Sequence, residues 1–195
     1  MRVREFAGKD FDVVSRLLGE QWHAEHGPQA YWQGADELCD FLAHTDAGYV
    51  VEGDAGEVMG VVLLSGVRPQ DRNETMRMHW LQQRTRLAAM AAALGINSRA
   101  DAAVLNDERQ LMDVAEERLG QAGQIVLLFV APQARGRGVG RTLLQEADAW
   151  FATHEVGTVR LVTDDACDWQ VYEHLGMERV QEDSSKGIYV YQSQR

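Results

Sequence analysis

The chain has 195 residues, 45% apolar and 25% charged, which suits one α/β domain, or one domain with an insertion, able to bury a full core. Its formal net charge of −11 argues against nonspecific nucleic-acid binding, which depends on basic surface, and mildly favours steering of a cationic small molecule or peptide amine. No apolar run nears the roughly 18 residues of a membrane span, so no membrane partner is expected.

Met1-Arg-Val-Arg-Glu-Phe6 leads straight into a strand pattern rather than a signal peptide. Residues 3–6 form the first expected strand. Asp10 then reads as a helix N-cap, with Phe11, Val14, Leu17, Leu18 and Trp22 following at helical spacing. His23 and His26 after that helix invite a metal reading, but only Glu25 stands nearby as a third ligand and the helical spacing is imperfect, so no metal is expected. A second helix fits residues 35–43, with Leu38, Phe41 and Leu42 on its apolar side. Residues 49–52 and 58–64 read as strands joined by the turn Gly53-Asp-Ala-Gly56. The two cysteines, Cys39 and Cys167, lie far apart without metal-ligand spacing. Free thiols and a cytoplasmic compartment follow as expectations.

Between Pro69 and Gly123 the composition turns strongly helical. Ala88 to Leu94 runs to a stop at Gly95, and Ser98-Arg-Ala-Asp101 looks like a capping box opening a helix to about Leu119. Trp80, Leu87, Ala91 and Leu94 form one apolar stripe; Leu105, Met112, Ala115 and Leu119 form another. A helical hairpin over about 71–120 is expected, its stripes buried against each other, the main domain or a second copy.

The most informative segment comes next. Ile125 to Val130 is an apolar strand, Pro132 marks a turn, and Gly136, Gly138 and Gly140 precede an amphipathic helix. Glycines let the backbone approach a ligand closely. The opening of a helix offers amides without intrahelical acceptors, on the positive end of its dipole. Such a turn suits phosphate, and Arg135, Arg137 and Arg141 add charge around it. A nucleotide P-loop would need a Lys that is absent here, and the strictly alternating glycines do not make a dinucleotide fingerprint.

This run resembles the acyl-CoA site of the GNAT N-acetyltransferase superfamily, whose pattern is Arg/Gln-x-x-Gly-x-Gly/Ala; Arg135, Gly138 and Gly140 fit it, with Val130-Ala-Pro132 upstream. A second block supports the likeness. After the apolar run Val159-Arg-Leu-Val162, Tyr172-Glu-His-Leu-Gly176-Met177 matches the family's Tyr-Glu-x-Leu-Gly-Phe, with Met in place of Phe. Asp165 stands where the family often has Asn, seven residues before Tyr172. The resemblance implies a single domain over 1–195 with an α/β GNAT fold: a mixed central sheet flanked by helices, here with a helical hairpin inserted between the third and fourth strands. It also implies an acyltransferase using acetyl-CoA as co-substrate. Phe129, Val130, Arg135, Gly136, Arg137, Gly138, Val139, Gly140, Arg141 and Thr142 would then hold its pantetheine arm and pyrophosphate.

Acetyl transfer to an amine needs a neutral nitrogen, a polarised carbonyl and a proton for the departing thiolate. An alkylammonium is neutral about one part in a thousand near pH 7.4, a cost of roughly 4 kcal/mol. The resemblance makes Tyr172 the general acid. The strand 125–130 carries no carboxylate, so Asp164 and Asp165 at the end of the next strand are the expected bases. Trp22, His23 and His26 fall where relatives line the acceptor site, and Arg68, His79 and Trp80 could reach in from the insertion. The expected function is N-acetyl transfer from acetyl-CoA to a primary amine of a small molecule or peptide. The alternatives are a catalytically silent acyl-CoA-binding sensor and a dimerisation protein working through its insertion; a homodimer is possible under each.

Overall fold

In the computed structural model, which describes residues 1–67, 74–98 and 102–194, seven strands form one sheet. These are β1 (Arg2–Glu5), β2 (Ala47–Glu52), β3 (Val58–Ser65), β4 (Gly123–Val130), β5 (Thr158–Asp164), β6 (Glu178–Asp183) and β7 (Ile188–Gln194), in the spatial order β1-β2-β3-β4-β5-β7-β6. Every neighbouring pair is antiparallel except β4 and β5. β3 reads Val-Met-Gly-Val-Val-Leu-Leu-Ser and is buried at every residue. Successive side chains of a strand point to opposite faces, so both faces of the sheet are covered at its centre.

On one face lie α1 (Phe11–Trp22) and α2 (Ala30–Ala43). A Cβ at Gly19 would collide with the backbone of Ala30, and one at Gly34 with the backbone of Ser15 and Gly19. The close crossing of these helices therefore depends on both glycines. α2 starts at Ala30 rather than 35, since Gly34 serves that crossing instead of ending a loop. Asp10 occupies the N-cap position of α1, but its side chain makes no cap bond. Its carboxylate instead accepts both Arg4 Nη groups at 2.7 Å and the Ala7 N–H at 2.9 Å. The other face carries α5 (Val139–Thr153), against which Gly60 of β3 leaves room for Val139 and Leu143.

Two further helices, α3 (Glu74–Ala93) and α4 (Ala102–Leu119), stand between β3 and β4. Among the described residues they scarcely touch each other: α3 lies along α2, whereas α4 crosses β5, β6 and β7. Both helices of the expected hairpin pack on the main domain. Leu87 and Ala91 of α3 are buried and Trp80 stacks on Phe11 at 5.5 Å. Leu105, Met112 and Ala115 of α4 are buried as expected, and Met112 and Ala115 join Leu111, Ile188 and Val190 in a second small core. The stripe ends are not buried. Leu94 is 65% exposed and Leu119 43%, because the helices run past the elements they cover. Gly95 does end α3, with φ +71°; Arg68 and most of the expected capping box at 98–101 lie outside the described residues.

Ion pairs fix the insertion. Arg84 of α3 donates to both oxygens of Asp36 at 2.8 and 2.7 Å and to Asp40 at 2.5 Å. Arg109 of α4 also donates to Asp40. Both aspartates are nearly fully buried on α2. Among the described residues no helix is long and apolar enough to cross a membrane.

Candidate active site

The parallel strands β4 and β5 pair only at Gly123 with Val159 and at Gln124 with Arg160. Beyond that the strands part, while β4 stays paired with β3 as far as Val130. Half of a strand's backbone groups face each neighbour, so residues 125–130 present N–H and C=O groups into an open wedge. Buried backbone groups need partners, and an extended ligand bearing amides can supply them. At the apex the register slips, so that Leu63 and Leu64 oppose Leu127 and Ile125 and leave Val126 as a bulge. Bulges re-aim backbone groups.

The wedge opens toward the glycine turn. Pro132–Ala134 makes one 3-10 turn, Gly136 and Gly138 take φ +72° and +81°, and α5 begins at Val139. Thr142 is bound back to the Gly138 carbonyl through its N–H at 3.0 Å and its hydroxyl at 3.1 Å. The amides before it belong to the first turn, where a helix has no acceptors of its own. Open space surrounds Gly136 and Gly138 where a Cβ would stand. Arg135, Arg137 and Arg141 are exposed around this turn, Arg135 donating to Gln21 at 3.2 Å. Phe129 is buried, edge-on to Trp22 at 5.9 Å.

Tyr172 sits on α6 (Gln170–His174). Its helix ends as the sequence indicates: Gly176 has φ +78°, its N–H bonds to the Glu173 carbonyl at 2.9 Å, and the Met177 N–H bonds to the Tyr172 carbonyl at 3.0 Å. This is a Schellman stop. The Tyr172 ring lies 5.7 Å from that of Tyr191. Burial, with a smaller contribution from Cys167, pushes its phenol well above the ordinary value, so the hydroxyl is protonated at neutral pH. The Cys167 thiol is itself pushed up to about 11 by burial and by Asp164. Cys39 and Cys167 are both free thiols.

The two aspartates proposed as bases already have partners. Asp164 accepts the Ala166 and Cys167 N–H groups at 3.0 and 3.1 Å, holding the turn after β5. Asp165 accepts the Tyr189 hydroxyl at 2.6 Å and occupies space that Gly187 leaves for it beside β7. His23 lies 3.0 Å from Glu37, which raises its imidazole pKa through this hydrogen bond against the opposing effect of burial. His26 meets Glu25 at 3.2 Å, and one ligand atom each of His23, Glu25 and His26 falls within 4.8 Å of the others. His79 is placed elsewhere. It is exposed beside Trp80, which stacks on Phe11 at the start of α1, whereas Trp22 and His23 stand at the other end of that helix.

A cavity of about 390 Å³ lies between α2, α4 and the first half of β4. Gln124, Ile125 and the bulged Val126 form part of its lining, together with Val162 of β5 and Glu108 and Arg109 of α4. Burial, reinforced by the charges of Asp164 and Glu37, pushes the Glu108 carboxyl up to about 7, against the opposing effect of Arg109. Sequence reasoning passed Glu108 over. The available signal was a glutamate set into the Leu105, Met112 and Ala115 stripe.

A mixed sheet splayed between two parallel strands, with an amide-rich glycine turn at the mouth of the wedge, defines the architecture of an acyl-CoA-dependent acyltransferase. A family model described as an acetyltransferase (GNAT) domain matches residues 67–190, more than half of the chain, and the chain belongs to that family. It is an acyltransferase of GNAT fold, a family that uses acetyl-CoA as co-substrate. Solved structures with the same fold extend the likeness to the first three strands. A protein from Pyrococcus horikoshii OT3 is 12% identical with TM-score 0.62, covering 100% of this chain and 98% of its own. Arylalkylamine N-acetyltransferase 2 from Aedes aegypti is 13% identical with TM-score 0.58, covering 99% and 98%. A GNAT-family acetyltransferase from Listeria monocytogenes is 16% identical with TM-score 0.56, covering 100% and 94%. No curated protein matches the chain in sequence.

Proposed function

We propose that the chain transfers an acetyl group from acetyl-CoA to a primary amine. The observation that carries this reading is the open edge of β4, which ends at the amides of residues 136–142; Tyr172 stands on the short helix that follows β5. The first-turn amides of α5 and the three arginines hold the pyrophosphate. Backbone groups of residues 125–130 pair with the pantetheine amides. An N–H at the Val126 bulge polarises the thioester carbonyl, the electrostatic contribution that usually matters most in acyl transfer. Tyr172 gives its proton to the departing thiolate; its raised pKa keeps it protonated until then. The end of α1, with Trp22, His23 and His26, borders the acceptor side. No step requires a metal.

The test combines binding and turnover. Calorimetry should show acetyl-CoA binding, weakened at least tenfold by Gly138→Asp, which sets a carboxylate against the pyrophosphate. Release of CoA thiol should be seen with at least one member of a panel of arylalkylamines, polyamines, amino acids, aminoglycosides and peptide N-termini. Binding without turnover on any amine would favour the silent acyl-CoA-binding module. Equal affinity in a folded Gly138→Asp protein would remove the turn from the site.

A further inference from the structure

We infer that Glu108, carried on the inserted helix α4, takes the proton of the acceptor amine, and that the cavity beside it receives a primary amine with an apolar body. The inference rests on the acetyl-transfer reading above and supplies the base that β4 lacks. Its ground is position. Glu108 lines the same cavity as Val126, the bulge at which β4 leaves β5, and as Val162 on β5. An amine in this cavity lies between the inserted helix and the apex of the wedge in which the thioester is bound.

Glu108 is also the half-buried carboxylate there that is free to act, whereas Asp113, likewise unpaired among the described residues, is exposed to solvent. Asp40 is held by Arg84 and Arg109, and Glu116 accepts the Gln124 amide at 2.8 Å. Asp164 is occupied by its turn. Among the described residues the Glu108 carboxylate has no hydrogen bond or salt bridge. Glu37 on α2 is paired with His23 at 3.0 Å and acts on Glu108 through its charge. The groups around Glu108 are Asp164 from β5, Glu37, Asp40 and His44 from α2, and Arg109, Asp113 and Glu116 from its own helix. Burial first, then the charges of Asp164 and Glu37, disfavour its ionised form, and Arg109 opposes them. A carboxyl balanced near 7 in this way matches the working pH, where a general base is most effective. Leu105, Phe41, Met112 and Ile125 line the cavity as well and set the preference for an apolar amine body.

The proton account closes. An N–H bond of R–NH₃⁺ breaks and an O–H bond forms on Glu108, which later releases that proton to solvent. The freed lone pair attacks the thioester carbonyl and the C–S bond breaks. Tyr172 protonates the thiolate, and the second proton lost by nitrogen restores the phenol. The products are the amide, CoA thiol and one proton.

The probe is 2-phenylethylamine with acetyl-CoA, followed by thiol release across pH. The kcat/KM profile should show an acidic limb with an apparent pKa near 7. Glu108→Gln should lower kcat by about 10²–10⁴-fold and abolish that limb, leaving the KM for acetyl-CoA unchanged. Arg109→Gln should move the limb to higher pH, a shift that a purely structural role would not produce. The ¹³C resonance of the Glu108 carboxyl, assigned by its loss in Glu108→Gln, should titrate over the same range without any turnover. A folded Glu108→Gln enzyme that keeps its rate and its limb, or a Glu108 carboxyl that titrates near 4, overturns the inference while acetyl transfer stands. Failure of 2-phenylethylamine to react, with another amine of the panel turned over, overturns the assigned amine class. Failure of the entire panel overturns the acetyl-transfer reading and this inference with it.

Discussion

Tyr172 is held by burial in the protonated form and its hydroxyl has no hydrogen bond among the described residues, a combination that suits the proposed donation of its proton to a newly formed thiolate. Removing the hydroxyl alone should cost turnover and little else. Tyr172→Phe is expected to bind acetyl-CoA with nearly wild-type affinity and to lose roughly 10²–10⁴-fold in kcat, the usual range for a general acid. Calorimetry and thiol release measure the two quantities separately. An unimpaired kcat would take Tyr172 out of the chemistry. The same scale separates the aspartates from Glu108. Asp164 gives Oδ1 to two backbone N–H groups and Asp165 gives Oδ1 to a tyrosine hydroxyl, whereas the Glu108 carboxylate has no such partner among the described residues.

At the scale of elements, the pairing of Arg84 with Asp36 and Asp40 fixes α3 to α2. Removing one partner of a buried pair leaves uncompensated charge, and Arg84→Met should cost about 3 kcal/mol by that argument. Arg84 is partly exposed and Arg109 still reaches Asp40, so the loss should fall at or below this figure. Urea unfolding reads it, and an unchanged midpoint would mean that the pairing does not hold the helix. These contacts also show where sequence reasoning runs out. The Gly136–Gly138 turn and the Tyr172–Gly176 helix with its stop were legible because their geometry is local: glycine supplies a positive φ and the next residues close the turn. The pairs Arg84–Asp40 and Arg109–Asp40 join positions 44 and 69 residues apart. Neither partner has a local pattern that names the other. Glu108 was hidden for the same reason, since only the docking of α4 across β5–β7 brings it to the β4 bulge. His79 is the opposite case: its helix was legible, but which end of α1 that helix would meet was not.

Across the whole molecule, the sheet consists of two halves joined by a narrow parallel seam at residues 123–124 and 159–160. α4 spans that seam. It packs on β5, β6 and β7, its Arg109 reaches Asp40 on α2, its Arg118 donates to the Val180 carbonyl, and its Asp107 lies 2.7 Å from Lys186. A ligand lodged in the wedge would add contacts across the same seam and so favour the folded state. At about 100 times its Kd, acetyl-CoA should add roughly 2.7 kcal/mol of stability. The thermal midpoint should rise accordingly in the wild-type chain and stay nearly fixed in Gly138→Asp at the same ligand concentration. A wild-type midpoint insensitive to that excess would mean that the wedge does not take the ligand.

The placement of α4 also divides the labour of the site along the chain. The grip proposed for the acyl donor comes from β4 and the start of α5, whereas much of the wall around the acceptor cavity comes from the helix inserted before them. Two stretches of sequence with separate folding requirements thus meet at one bulge. Leu105 and Met112, which line the cavity from α4, belong to a different stretch of the chain from the glycines of the turn and Tyr172. On the proposed reading, acceptor choice is set by a part of the chain distinct from the one that grips the acyl carrier.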